Sequence, residues 1–166
     1  MITSTRPWWT LQTIMQPGIF MLIETIDPGR ALHLIEELDA YQASLYPAES
    51  NHLEPLEVLR SERMIFLGAV EGEEVLAIGS VKLCEGYGEI KRLYVPYQHR
   101  GRGLAKKIMF KLEYLLADRG LAFARLETGI HQSEAIGLYE ALGYRDCEPF
   151  GDYQPDPLSV FMEKKL

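Results

Sequence analysis

The amino-acid sequence predicts an α+β fold built on one mixed sheet. Residues 64–71 and 75–84 are strand-like runs joined by Gly72-Glu73-Glu74, and Glu85-Gly86-Tyr87-Gly88 turns the chain into a third run, so three successive antiparallel strands are expected. A strand at 88–95, an amphipathic helix at 104–118 and a strand at 121–127 then make one β-α-β unit. Two strand-like segments, YRDCEPF and PLSVFMEK, close the chain. Strands in a run followed by one crossover fit a mixed sheet better than a doubly wound one.

Taken in order, residues 1–18 read as an N-terminal extension marked by Trp8 and Trp9, and residues 19–166 as one domain. IFMLIETI, 19–26, is the first strand. Asp27 supplies an N-cap and Pro28 a first helical position. Residues 29–46 carry apolar side chains at 31, 34, 35, 38, 41 and 45, the spacing of an amphipathic helix, and Pro47 ends it. The loop LYPAESNH leads to a short helix near 55–61. After the β-α-β unit, residues 133–142 form a helix closed by Gly143. The last two strands are joined by GDYQPDP.

A chain of 166 residues is long enough for one well-buried core, and 47% hydrophobic with 25% charged residues is a globular composition. The net charge of −7 argues against general affinity for nucleic acid or anionic membrane. Against that acidic background, Lys91, Arg92, Arg100, Arg102, Lys106 and Lys107 crowd one stretch, which suits a local anion site. Cys84 and Cys147 have neither metal-ligand spacing nor a disulfide framework, so a reduced, cytoplasmic setting and no bound metal are expected. No apolar run has membrane-spanning length, and Gln16-Pro17-Gly18 interrupts the only apolar start, so no signal peptide is expected.

The stretch VPYQHRGRGLA, 95–105, joins the strand to the helix of the β-α-β unit. Gly101 and Gly103 allow positive φ and close approach of a ligand to the backbone. The amides of 101–105 point out of a helix start, where the helix dipole favours an anion, and Arg100 and Arg102 add charge. This is a phosphate cradle. A dinucleotide fingerprint starting at Gly101 fails because Lys106 stands where the third glycine is needed, and no G-x-x-x-x-G-K-[ST] is present.

The cradle resembles the pyrophosphate-binding signature Gln/Arg-x-x-Gly-x-Gly/Ala of the GCN5-related N-acetyltransferases, with Gln98, Gly101 and Gly103 in register after Val95-Pro96. QSEAIGLYEALGY, 132–144, resembles the second signature of that family, Asn-x-x-Ala-x-x-Leu-Tyr-x-x-x-Gly-Phe/Tyr. Ala135, Leu138, Tyr139, Gly143 and Tyr144 match, and Gln132 stands where asparagine is usual. The element order over 19–166 is also similar to the family's. The resemblance implies a mostly antiparallel mixed sheet with helices on both faces and a central β-α-β unit that binds acetyl-CoA. It implies coenzyme contacts from Leu93, Tyr94, Val95, Gln98, Arg100, Gly101, Arg102, Gly103, Leu104, Ala105, Gln132 and Tyr139.

The implied reaction is acetyl transfer from acetyl-CoA to a primary amine of a small molecule, by direct attack on the thioester. An alkylammonium with a pKa near ~10.4 must lose a proton first, and a carboxylate raised by burial can take it. Glu89, on the strand before the cradle, is the candidate base. Its strand spacing puts Lys91, Leu93 and Val95 on the same face, and an ion pair to Lys91 is its structural alternative. Glu127 and His131 are the other base candidates. Tyr139 is the candidate acid for the leaving thiolate. The acceptor site implied by the resemblance draws on Tyr46, Glu49, Ser50, Asn51, His52, Asp152, Tyr153 and Asp156. A non-catalytic acyl-CoA-sensing module is the rival reading, and a homodimer is left open.

Overall fold

The computed structural model describes residues 20–166, so the extension expected at 1–18 lies outside the described residues. Strand β1 (Met21–Thr25) leads into a 3-10 turn, Pro28–Ala31, where the Asp27 carboxylate accepts from the Gly29 amide at 2.8 Å as the Asp-Pro pair predicts. Helix α1 (Leu32–Leu45) and the single turn α2 (Leu56–Leu59) follow, the latter shorter than the expected 55–61. Strands β2 (Met64–Glu71), β3 (Glu74–Leu83) and β4 (Tyr87–Tyr94) form the antiparallel run. Helix α3 (Leu104–Asp118), β5 (Phe123–Gly129), α4 (Ser133–Ala141), β6 (Arg145–Asp146) and β7 (Ser159–Lys165) complete the chain.

The sheet has seven strands in the order β1-β2-β3-β4-β5-β7-β6, and β4–β5 is its parallel pair. Helices α3 and α4 cover one face through Leu104, Ile108, Leu112, Leu116, Tyr139 and Leu142. Helices α1 and α2 cover the other through Leu34, Ile35 and Leu59 against Phe66 and Ile78. The expected strand at YRDCEPF shrinks to Arg145–Asp146, since Pro149 has no N–H to extend a ladder.

Two departures from regularity create the site. The β4–β5 pairing runs from Tyr87↔Phe123 to Ile90↔Leu126 and stops, although both strands continue. Beyond that point β4 stays paired to β3 at Tyr94 and β5 to β7 at Gly129, so the two strands part. The second departure is a bulge in β4: Ile78 pairs with Tyr94 but Ser80 with Lys91, and Arg92 sits at φ 55. The extra residue breaks the alternation that put Leu93 beside Glu89. Leu93 instead packs toward Ile108 and Leu112 of α3, on the face of Gly88 and Ile90, while Glu89, Lys91 and Arg92 face the α1 side. The Ser80 hydroxyl donates to the Lys91 carbonyl at 3.0 Å and steadies the bulge.

Candidate active site

A cleft of about 680 Å³ opens where β4 and β5 part, running from the start of α3 to the end of α1. At one end is the cradle. Gly101 and Gly103 have φ 77 and 72, and the space beside both is open, so glycine is needed there for backbone conformation and for whatever fills the turn. The backbone N–H groups of 101–106 find no acceptor among the described residues. A run of free amides at a helix start, with the helix dipole behind it, binds an anion. The Arg100 guanidinium lines this end, donating to the Val95 carbonyl at 3.1 Å and to Glu134 at 2.9 Å.

At the other end, side chains from α1, the loop after it, β4 and β5 converge. Tyr46, at the end of α1, lies over Gly129 of β5, accepts from the His131 amide at 3.0 Å and stacks on the His131 ring. Glu127 points from β5 into the cleft. It accepts from the Ser159 hydroxyl at 2.7 Å and forms no ion pair among the described residues. Burial raises its pKa, and the Ser159 hydrogen bond, His52 and Lys91 offset this only in part. Tyr139 lines the cleft from α4, its position fixed by a Schellman end in which the Tyr144 amide donates to the Tyr139 carbonyl and the Gly143 amide to Glu140. Burial, and then the charge of Glu127, push its phenol far above the usual range, so the hydroxyl keeps its proton.

Glu89 is buried and does not line the cleft. Its carboxylate accepts from the Tyr153 hydroxyl at 2.6 Å and pairs with the Lys91 ammonium at 3.0 Å. Lys91 also donates to the Tyr153 oxygen at 2.8 Å and faces Glu54 at 3.9 Å. Burial, then the Glu89 charge, push the Tyr153 phenol far up, so it remains a donor. Arg92 reaches the other way, to Asp39 of α1 and the Glu54 carbonyl. Two of the six clustered cations therefore serve the acceptor end and leave the cradle to Arg100 and Lys106.

The acetyltransferase (GNAT) family model matches residues 31–144. An IAA acetyltransferase of Azospirillum brasilense is 40% identical over 152 residues, 90% of this chain and 99% of that protein. The uncharacterized N-acetyltransferase YsnE of Bacillus subtilis is 37% identical over 147 residues, 87% of this chain and 97% of its own. A Klebsiella pneumoniae crystal structure named as an acyl-CoA N-acyltransferase superposes with a TM-score of 0.74 at 40% identity, covering 89% and 99% of the two chains. The chain belongs to the GNAT acetyltransferase family. The PaiA N-acetyltransferase of Thermoplasma acidophilum, solved with coenzyme A, shares the fold at a TM-score of 0.68 and 19% identity, covering 89% and 99%.

GNAT enzymes use acetyl-CoA, and the residues present fit it. The free amides of 101–106 suit its pyrophosphate, and the strand edges left unpaired beyond Ile90 and Leu126 suit an extended amide-bearing chain. Of the residues expected to touch the coenzyme, Leu93, Tyr94 and Val95 line the cleft from β4. Arg100, Gly101, Gly103, Leu104 and Ala105 line it from the cradle, and Gln132 and Tyr139 from the second signature. The Gln132 side chain makes no capping bond to α4, and its side-chain amide has no hydrogen-bond partner among the described residues.

Gln98 and Arg102 do not line the cleft; Arg102 turns away to Glu71 at 2.8 Å. Tyr46, Ser50 and His52 of the expected acceptor set line it, whereas Glu49, Asn51, Asp152, Tyr153 and Asp156 do not. Thr128, Glu54 and Lys91 line it without having been expected there. Period two along β5 and the Glu89–Lys91 pairing carried the signal, but which strand faces the cleft depends on the parting of β4 and β5. No helix of the described residues is long and apolar enough to cross a membrane.

Proposed function

We propose that this GNAT enzyme acetylates a primary amine of a small molecule, with Glu127 as the base and Tyr139 as the acid. The observation that carries the reading is Glu127: a half-buried carboxylate without a cationic partner among the described residues, in the cleft that the cradle opens into and that Tyr139 lines. Bound acetyl-CoA supplies an activated acetyl carbonyl. Glu127, raised by burial, takes a proton from the incoming ammonium, and the Ser159 hydroxyl holds the carboxylate in place. The Tyr139 hydroxyl, which lines the cleft and has no hydrogen-bond partner among the described residues, donates toward the departing sulfur. Glu89, the base expected from its strand position, is already engaged by Lys91 and Tyr153, which supports a positioning role. A small acceptor is favoured over a polypeptide because Tyr153, behind Lys91, ties the loop before β7 onto β4 and fixes it beside that end.

An amine library offered with acetyl-CoA, read by thiol release and by product mass, tests this. Acetylated small amines are expected. Protein that binds acetyl-CoA by calorimetry yet releases no thiol with any amine overturns the reading in favour of a sensing module.

A further inference from the structure

We propose that Lys91 is itself an acetyl acceptor, an internal modification site fed by acetyl-CoA bound in the same cleft. The inference needs the donor site but not the identity of any amine. Lys91 Nζ lies 3.0 Å from Glu89 Oε1, and Tyr153 holds that carboxylate at 2.6 Å. An amine nucleophile, a carboxylate within hydrogen-bond reach and a third group that orients the carboxylate form the arrangement that activates a nucleophile. The lysine side chain is only 12% exposed and lines the cleft, so its access to an acyl donor is from within. It also lies near enough to Glu127 for its charge to lower that carboxylate's pKa, which puts it beside the group proposed to deprotonate the substrate. Glu89, Glu54, Glu127, the Tyr153 hydroxyl and, just past the end of β3, the Cys84 thiol are the titratable groups that face or feel it.

The step balances without a co-reactant. The Lys91 ammonium gives one proton to Glu89. Its lone pair forms the C–N bond as the thioester C–S bond breaks, the second nitrogen proton goes to the thiolate to give coenzyme A thiol, and Glu89 returns its proton to solvent. The product is a neutral amide. It ends the ion pairs of Lys91 with Glu89 and Glu54 and fills the acceptor end, so the modified enzyme is shut toward amines.

The protein is incubated with acetyl-CoA and no amine, and followed by intact mass and peptide mapping. One acetyl group is expected on Lys91, at a rate independent of protein concentration and suppressed by excess coenzyme A. Lys107 and Lys165 are exposed, and any chemical acetylation there is expected to be indifferent to coenzyme A. Lys91→Arg keeps a cation beside Glu89 and is expected to lose the modification. Glu89→Gln is expected to slow it by about tenfold or more. Lys91 unmodified in protein that binds acetyl-CoA by calorimetry overturns the proposal, as does modification that coenzyme A does not slow. Failure to bind acetyl-CoA at all is seen separately in the calorimeter and overturns the donor site together with this inference.

Discussion

Glu127 and Tyr139 are distinguishable by substitutions that keep shape. Glu127→Gln retains an oxygen for the Ser159 hydroxyl and removes the titrating group. Turnover is expected to fall about 10²–10⁴-fold, and the acidic limb of the pH–rate profile, displaced upward from the usual glutamate range by burial, is expected to vanish. Stability should move the other way. A carboxyl whose folded pKa is raised binds its proton more tightly in the folded chain, so its contribution falls as pH rises through the window between the unfolded and folded values. At neutral pH the charged, partly desolvated carboxylate opposes folding, and Glu127→Gln should leave the thermal midpoint at or above that of the parent. A midpoint several degrees lower would make Glu127 a structural anchor. Tyr139→Phe keeps the ring that packs near Tyr144 and deletes the hydroxyl. Coenzyme A affinity is expected to persist while turnover falls about ten- to a thousandfold; parent-like turnover would remove the hydroxyl from the chemistry.

Among the elements, the turn into α3 carries the anion cradle of the donor end. Gly103 is its left-handed N-cap with open space beside it, so the protein itself does not require the missing side chain. Asparagine tolerates a left-handed backbone better than other side chains. Gly103→Asn should therefore fold and yet weaken coenzyme A binding by about tenfold, ~1.4 kcal/mol, by filling the cradle. Unchanged affinity by calorimetry would move the pyrophosphate elsewhere. This turn was legible in the sequence because glycine spacing and helical periodicity are local signals, and α3 spans the residues its apolar spacing predicts. The bulge in β4 was not. Arg92 takes positive φ without being glycine, and one extra residue leaves the strand's composition unchanged, so Leu93 was expected on the wrong face. The status of Glu89 was half legible: its partner Lys91 is two residues away in sequence, but Tyr153 arrives from a loop 64 residues on.

At the scale of the molecule, the sheet is two pieces, β1–β4 and β5–β7, joined by a short parallel ladder that ends where the cleft begins. Beyond that end the pieces are bridged on the α1 side by side chains, and Tyr46 is the bridge that can be dissected. A Cβ built on Gly129 comes 2.0 Å from the Tyr46 ring, so the close seat of the ring demands glycine there. Gly129→Ala should displace Tyr46 and cost about 1–3 kcal/mol, the range for overpacking a core. Tyr46→Ala should cost about 3–5 kcal/mol through lost ring burial and the cavity left behind. If the two residues form one joint, the alanine at 129 has nothing to clash with once the ring is gone. The double variant should then be less destabilised than the sum of the singles, by about 1 kcal/mol or more, whereas independent sites add within about 0.5 kcal/mol. Urea unfolding of the four proteins measures that coupling. The same set tests function: coenzyme A affinity, set at the cradle, should change little across the four, while transfer to an amine acceptor should fall in each variant that displaces or deletes Tyr46. Additive stabilities, or a loss of coenzyme affinity equal to the loss of transfer, would mean that Tyr46 supports the whole cleft and not its acceptor end.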